Sequence, residues 1–402
     1  MQGKHLCEKV KYIGRLVAVV SALLLGWDEA AAGETNWQVV QAEGRDYLSL
    51  ANIARFYQLR GNAQLSERHV TLADGRTRLE LGLNPREIYV NGVKQWLLFP
   101  AVVQGDQILI SRFDLAKTIE PSLRPTMIAN LRPFQTVVLD PGHGGKDRGA
   151  SNRVGTEKDY TLNVCQHLKK SLEEKGLRVV LTRGDDSFLP LEGRADLANG
   201  ASDAVFVSLH FNSAVDGGQA KGFEVYAVTP QGATSTDDHA TSLEQFEGTP
   251  GNEFDEASLA LATCVQHSLL GHLPQADRGV RRARFAVLRL TRAPAILIEG
   301  GYLTNDRESL AINDPVWRDR LAEAIAQGVE SFQQVAAYRR PPKLLADYRG
   351  EQLPLLGTAV NPATLAARRP AGPSDLLPVS NPAPARGGLG FVRSGGGIPS
   401  PY

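Results

Sequence analysis

Short apolar runs alternate with amphipathic helical segments through residues 131–338. In the first helical segment, Leu162, Cys165 and Leu168 keep a three-to-four spacing on one face, and Gly176 follows the end of the segment. This alternation predicts an α/β fold, in which a mostly parallel mixed sheet carries helices on both faces. The runs predicted as strands are TVVLD (136–140), LRVVLT (177–182), AVFVSLH (204–210), FEVYAV (223–228), FAVL (285–288) and AILIE (295–299).

A different pattern occupies residues 34–130. One helical segment, LANIARFYQ, precedes several short strand-like runs, and Asn91-Gly92 between two of these runs is a strong signal for a tight hairpin. The pattern predicts a small α+β accessory domain at 34–130, followed by a second module at 131–338. The strand-like runs are HVTLAD (69–74), TRLELGL (77–83), EIYVNG (87–92), KQWLLFP (94–100) and ILISRFDL (108–115).

The two ends of the chain have compositions of their own. Residues 1–33 combine a basic start, an apolar run at 16–25 and small residues at 30–33, which predicts a secretory signal peptide. The apolar run is shorter than the roughly 20 residues of a membrane span, so no stable span is expected after cleavage. A retained N-terminal anchor is the alternative, and both readings place the folded modules in the periplasm or cell envelope. Residues 339–402 are dominated by Pro, Gly, Ala and Arg, which predicts a disordered tail, with wall or partner binding as the alternative.

Charge and cysteine content narrow the function. The chain carries 44 Lys and Arg against 44 Asp and Glu, so no global attraction to nucleic acid is indicated. Only Cys165 and Cys264 remain after removal of the signal. Both lie in amphipathic helical patterns, which favours two separate core thiols; a single disulfide in an oxidising compartment is the alternative.

Four polar residues flank the strand-like runs. His143 follows the first run, and His210 and Glu299 end later ones. Glu157 opens the first helical segment. Because an α/β sheet carries its chemistry at the carboxyl ends of its strands, we expect these side chains to converge.

Imidazole and carboxylate ligands in this number are typical of catalytic zinc, which keeps one coordination position open for water. His143, Glu157 and His210 supply such a set. Glu299 has apolar neighbours that would raise its pKa, which makes it the candidate general base. Taken singly, each residue has a plainer role, as a turn residue, a hydrogen-bonded strand end or a helix-dipole partner. Their shared placement favours the metal site.

The motifs around these residues resemble those of the zinc-dependent N-acetylmuramoyl-L-alanine amidases associated with cell division. The resemblance runs in order through the whole second module, which makes it specific. The matching segments are LDPGHGG (139–145) with Asp147 and Gly149-Ala150, EKD (157–159), SLHFN (208–212), RGV (278–280), VLR (287–289) and IEGGYLTN (298–305).

The resemblance implies that His143, Glu157 and His210 bind Zn²⁺ and that Glu299 is the general base. It implies hydrolysis of the amide between N-acetylmuramic acid and L-alanine in peptidoglycan, for cell-wall remodelling or daughter-cell separation. It also implies an activator protein as a second candidate partner. The accessory domain resembles the N-terminal stalk modules of copper amine oxidases through elements such as VNGV at 90–93, which implies a binding role.

Several alternatives stay open at this point. The same fold would suit a peptidoglycan-binding or regulatory protein with a degenerate site, or a zinc endopeptidase of the stem peptide. The window at about 230–255 is predicted to be a plain surface loop and not a tight autoinhibitory helix, although Glu244 or Glu247 could reach the metal. Arg281, Arg282 and Arg284 could meet a peptide carboxylate or lie in a solvated turn.

Overall fold

The structure is a computed structural model that describes residues 37–61, 69–82, 84–215, 218–237 and 247–340. The predicted signal, nearly all of the predicted tail and the loop segment 238–246 lie outside these ranges. Within them, no helix is both long enough and apolar enough to cross a bilayer.

The described elements run in the following order. The strands are β1 (Val39–Ala42), β2 (Arg45–Ser49), β3 (Val70–Ala73), β4 (Arg78–Leu81), β5 (Glu87–Val90), β6 (Val93–Trp96), β7 (Val102–Gln104), β8 (Gln107–Ser111), β9 (Thr136–Pro141), β10 (Arg178–Leu181), β11 (Ala204–Asn212), β12 (Phe223–Val228), β13 (Asp277–Ala283) and β14 (Ala295–Tyr302). The helices are α1 (Leu50–Phe56), α2 (Arg112–Asp114), α3 (Glu120–Leu123), α4 (Glu157–Glu174), α5 (Leu191–Asn199), α6 (Asp255–His272), α7 (Ala286–Leu290), α8 (Asp306–Asn313) and α9 (Pro315–Ala337). A π-helical turn (Leu115–Ile119) joins α2 to α3.

A ten-stranded sheet in the order β10-β9-β11-β14-β12-β13-β6-β5-β4-β3 organises the chain. Strands β10, β9, β11 and β14 are mutually parallel, whereas β12 is antiparallel to β14 and parallel to β13. A second sheet, in the order β1-β2-β8-β7, is antiparallel throughout. The predicted fold class, a mixed α/β sheet with helices on both faces preceded by a small α+β unit, is confirmed, and the N-terminal unit consists mainly of β-strands.

Helices cover both faces of the central strands. On one face, alternate residues of β11 such as Val205 and Val207 join a large apolar core with α4, α6 and α9. On the other face, Phe206 joins a smaller core with residues of α5 and α7. Because successive side chains of a strand point to opposite faces, each central strand contributes to both cores.

The register of the sheet brings polar side chains together at one edge. His210 on β11 pairs with Glu299 on β14, and Glu299 in turn pairs with Glu224 on β12. Since β12 runs antiparallel to β14, its first residues lie beside the carboxyl ends of β9, β11 and β14. This edge therefore contains residues from the carboxyl ends of the parallel strands and from the amino end of β12.

The accessory strands continue the central sheet. Strand β6 lies parallel to β13, with Gln95 opposite Val280. The predicted hairpin at Asn91-Gly92 is confirmed, because both residues have positive φ, 51° and 80°, as the tight turn between β5 and β6 requires. The predicted boundary between domains at 130–131 stays a prediction.

Two sequence interpretations were wrong near the end of the second module. FAVL (285–288) was predicted as a strand but belongs largely to helix α7. The preceding segment, DRGVRRA, was not predicted as a strand and forms β13. Three arginines make this segment look polar in the sequence, so its burial could not be predicted. Buried acceptors satisfy them: Arg282, only 2% exposed, donates to the carbonyls of Val228, Asp255 and Lys117.

Helix α4 ends as predicted, because Gly176 follows its C-cap with a φ of 85°. The prediction of two separate thiols is also confirmed: Cys165 and Cys264 are both free cysteines.

Candidate metal centre

The loop after β9 holds His143 in an uncommon backbone conformation. Its φ is 61°, a left-handed value that costs a non-glycine residue about 1–2 kcal/mol. The carbonyl of His143 accepts a hydrogen bond of 2.7 Å from Arg194, whose guanidinium also pairs with Asp140 at 2.8 Å. Arg183 donates to the carbonyls of Pro141 and Gly142. Buried arginines therefore fix the loop that carries the first histidine.

Glu157 is the first residue of α4 and is 2% exposed. Its Oε1 accepts from the backbone of Phe211 at 3.0 Å, and its Oε2 accepts from the backbone of Ala150 at 2.8 Å. Burial raises the pKa of Glu157, but hydrogen bonds with His143 and His210 and their charges outweigh it and lower the pKa to about 2. The carboxylate is thus held ionised and aimed between the two imidazoles.

His210 lies near the end of β11 and is 5% exposed. Its Nδ1 lies 3.0 Å from Glu157 Oε1, and its ring meets the His143 ring nearly edge-on, with centroids 4.9 Å apart. His143 Nε2 lies 2.9 Å from the same Oε1 atom. Ligand atoms of the three residues all fall within 4.8 Å of one another, which satisfies the first requirement of a metal site.

Two glycines show how closely the backbone encloses this cluster. A Cβ on Gly142 would lie 2.6 Å from His210 Nε2, and one on Gly149 would lie 2.5 Å from Glu157 Oε2 and 2.6 Å from His143 Cδ2. Side chains at these positions would fill the space around the ligand atoms. Two imidazoles, one ionised carboxylate and a glycine-lined cradle therefore fit a divalent cation such as zinc.

An acidic residue orients His143 from outside the cluster. Asp147 Oδ2 lies 2.9 Å from His143 Nδ1, so the other ring nitrogen faces Glu157. A carboxylate on the far nitrogen of a metal-binding histidine fixes its tautomer and ring orientation. The sequence motif included Asp147 but did not indicate this role.

Glu299 sits beside the cluster without belonging to it. It is 4% exposed, and among the described residues its Oε2 atom is buried without a hydrogen-bond partner. Burial raises the pKa of Glu299 well above 4.5, and the nearby charges of Glu157 and Glu224 raise it further. A carboxyl group with a raised pKa next to a metal cradle is suited to accept and return a proton.

Sequence reasoning missed Glu224, which is 1% exposed on β12 beside Glu299. It accepts hydrogen bonds from Asn212 and Tyr302 and pairs with Arg278 at 3.1 Å and Arg281 at 2.9 Å. The only sequence signal was an acidic residue inside the apolar run FEVYAV.

Other sequence candidates lie apart from the cluster. His167 pairs with Asp319, while His267 and His272 lie on α6. Arg281 and Arg282 are buried on β13, so the solvated-turn interpretation was wrong for both. Glu247 is exposed, and Glu244 lies outside the described residues.

Proteins of similar sequence identify the family of this chain. Residues 137–331 match the family model described as N-acetylmuramoyl-L-alanine amidase. The chain is 33% identical over 198 residues to uncharacterized protein YqiI of Bacillus subtilis (strain 168). The aligned region covers 49% of this chain and 84% of YqiI. The chain belongs to the N-acetylmuramoyl-L-alanine amidase family.

Two further relatives are similar to this amidase. Probable cell wall amidase LytH of Staphylococcus aureus is 34% identical over 201 residues, which cover 49% of this chain and 58% of LytH. The solved N-acetylmuramoyl-L-alanine amidase from Clostridium difficile 630 is 35% identical, with coverage of 50% of this chain and 97% of that one and a TM-score of 0.42. Family membership confirms the predicted enzyme class and the predicted reaction type, amide hydrolysis in peptidoglycan.

Proposed function

We propose that this amidase uses zinc to hydrolyse the bond between the lactyl group of N-acetylmuramic acid and L-alanine. The observation that carries the proposal is the His143, Glu157 and His210 cluster, with the unpartnered carboxyl oxygen of Glu299 one strand away. Family membership supports the identity of the bond that is cleaved, and the imidazole and carboxylate ligands support zinc as the metal.

The three clustered residues would hold the zinc ion. When bound, zinc supplies Lewis-acid polarisation of the amide carbonyl and lowers the pKa of water. Ionised Glu157 contributes the negative charge of the ligand set. Asp147 binds the Nδ1 atom of His143 and so keeps its Nε2 atom turned toward Glu157. The left-handed loop, fixed by Arg194, keeps His143 in place.

Glu299 moves the proton. As a carboxylate it takes a proton from the attacking water, whose oxygen bonds to the amide carbon. The carbon–nitrogen bond then breaks, and Glu299 returns the proton to the departing nitrogen of L-alanine. Its buried position beside the cluster lets one carboxyl group serve both halves of the transfer, and burial raises its pKa, which strengthens it as the base that accepts the proton. One water is consumed, and a carboxylic acid and an amine are released.

The setting of the reaction is part of the proposal. We infer export to the periplasm or cell envelope, where peptidoglycan lies, and a role in wall remodelling or daughter-cell separation. The accessory residues 34–130 would help to bind the wall. The family resemblance also predicts an activator protein that controls the enzyme, and this prediction is separate from the proposed reaction.

The test compares Glu299→Ala with the wild type and with Glu174→Ala, a control on the exposed end of α4. We expect Glu299→Ala to keep one zinc per chain by elemental analysis and to lose about 10²- to 10⁴-fold of its turnover of peptidoglycan. The control should keep both zinc and turnover.

Mass analysis of the products identifies the bond. Free stem peptides that begin with L-alanine would support the amidase reaction. Cleaved peptide bonds beside intact muramyl–alanine bonds would instead support the endopeptidase alternative. No turnover by zinc-loaded wild type would favour a wall-binding or regulatory protein. Turnover by Glu299→Ala above about 1% of wild type would contradict the role of Glu299.

A further inference from the structure

A basic cavity lies where accessory strand β6 joins β13 of the ten-stranded sheet. Its volume is about 350 Å³, within the range of small-ligand sites. Lys94 and Trp96 line it from β6, Lys221 from the segment before β12, and Arg278 and Arg281 from β13. One acidic side chain, Asp277, shares the lining with these four cationic ones. The lining therefore combines four cationic side chains, one carboxylate and one indole ring.

This cavity opens at the same edge of the sheet as the metal cluster. His210, Glu299 and Glu224 are neighbours across β11, β14 and β12, and β13 and β6 follow in the sheet order. Neighbouring strands lie about 4.8 Å apart, so β13 is about 10 Å and β6 about 14 Å from Glu299. Lys221 precedes β12 and Arg278 is near the start of β13, which places both at this edge.

Close packing fixes the wall that β6 provides. The indole Nε1 of Trp96 donates to the carbonyl of Arg278 at 2.9 Å, and the Arg281 guanidinium lies 4.7 Å from the Trp96 ring centroid. A Cβ on Gly279 would lie 2.9 Å from Lys94 Cγ, so only glycine lets the two strands approach this closely. The accessory strands are thus a built part of the cavity.

Ion pairs divide the four cations into two groups. Arg281 pairs with Glu224 through Nε and with the exposed carboxylate of Asp237 through Nη1. Arg278 donates to Glu224 through Nε at 3.1 Å, and its guanidinium lies 5.1 Å from the Tyr302 ring centroid. Lys94 gives one of its three donors to Glu87 at 3.1 Å, and Lys221 is exposed. Glu224 thus holds both arginines, and Lys94 and Lys221 are the cationic groups that a ligand would meet.

We propose that this cavity binds the carboxylates of the peptidoglycan stem peptide. The inference rests on the proposed function, since it requires that the scissile bond lies at the metal cluster. An extended peptide advances about 3.4 Å per residue, so three to four residues beyond that bond reach the 10–14 Å to β13 and β6. The ligand class is a short acidic peptide, and the accessory strands act as a specificity element for it.

The test uses the full chain and measures peptide binding separately from turnover. The probes are the stem peptide with free carboxylates and the same peptide with its carboxylates amidated, titrated by calorimetry. The variant is Lys94→Gln/Lys221→Gln, and the matched control is Lys170→Gln, a lysine 81% exposed on α4. The same pair of probes, attached to N-acetylmuramic acid, gives KM and kcat.

We expect the wild type and the control to bind the free-carboxylate peptide at least about tenfold more tightly than the amidated one, because hydrogen bonds to charged groups are the stronger kind. The double variant should lose most of this preference and show a raised KM with kcat nearly unchanged. Equal affinity of the wild type for both peptides would overturn the proposal, as would an equal loss for both in the double variant. Peptide preference without turnover of the muramyl substrate would uphold the cavity and reject the proposed function.

Discussion

Replacing Gly142 by alanine tests the metal centre through a single added methyl group. Gly142 lies in the loop between β9 and His143, and its φ is not in the left-handed region, so alanine is compatible with its backbone. The methyl carbon would nevertheless lie 2.6 Å from His210 Nε2 and 2.7 Å from His210 Nδ1. The substitution therefore displaces His210 and leaves all three proposed ligands in the chain.

The size of the effect follows from the overlap. An ordinary contact of a Cβ begins near 3.4 Å, and His210 Cε1 lies closer to the added Cβ than either ring nitrogen, so the imidazole must move by about 1 Å. Metal–ligand distances vary by only about 0.2 Å, and a shift of this size takes the ring out of coordinating range. Changes outside the ligand set typically weaken metal affinity by 10- to 100-fold, and we expect Gly142→Ala to reach at least the upper end. Overpacking would add about 1–3 kcal/mol of destabilisation.

The assay titrates zinc against a competing chelator for wild type, Gly142→Ala and the control Gly184→Ala. Gly184 follows the end of β10 with no atom within 4 Å of its added Cβ, so alanine should be harmless there. Urea unfolding without metal measures the loss of stability separately. Zinc affinity of Gly142→Ala within about threefold of wild type would refute the assignment of His210 as a ligand.

Two further substitutions test the same centre. His210→Ala should lose zinc first while the chain stays folded, so elemental analysis that finds one zinc per chain would remove His210 from the ligand set. Arg194→Ala breaks the buried pair with Asp140 and frees the carbonyl of His143, so urea unfolding should show a loss of about 3–5 kcal/mol; a loss below about 1 kcal/mol would show that the loop holds its shape without the pair.

The strand-end residues of the site could be predicted because parallel strands share an edge. His210 and Glu299 end apolar runs in the sequence, and parallel pairing of β11 with β14 then makes them neighbours. His143 needed only the short glycine loop after β9. Local pattern and one topological rule were enough for these positions.

Partners distant in the sequence could not be predicted in the same way. Glu224 reaches Glu299 because β12 reverses direction in the sheet, and no local pattern encodes that reversal. Strand β13 was not predicted because its arginines make the segment polar. In the fold, buried carbonyls and Glu224 satisfy these arginines, and the hydrophobicity of the segment alone does not reveal such partners. The pairing of β6 with β13 likewise depends on surfaces far apart in the chain.

Because β6 pairs with β13, we expect the second module to depend on the accessory strands for part of its stability. Deletion of residues 34–125 would remove Val93, which is 2% exposed in the main core, and the carbonyl of Lys117, which accepts from buried Arg282 at 2.6 Å. Loss of a buried valine costs about 1.5–3 kcal/mol, and a buried donor left without its acceptor costs about 1–3 kcal/mol.

The remaining chain should therefore be less stable by about 2.5–6 kcal/mol, a large part of the 5–15 kcal/mol typical of a folded protein. Strand β13 would also become an open edge, and exposed edges promote association between chains. Urea unfolding of both zinc-loaded proteins, followed by circular dichroism, measures the difference, and light scattering detects association. If the shortened chain stayed monomeric and lost less than about 1 kcal/mol, the second module would be an independent domain, and the accessory strands would serve binding alone.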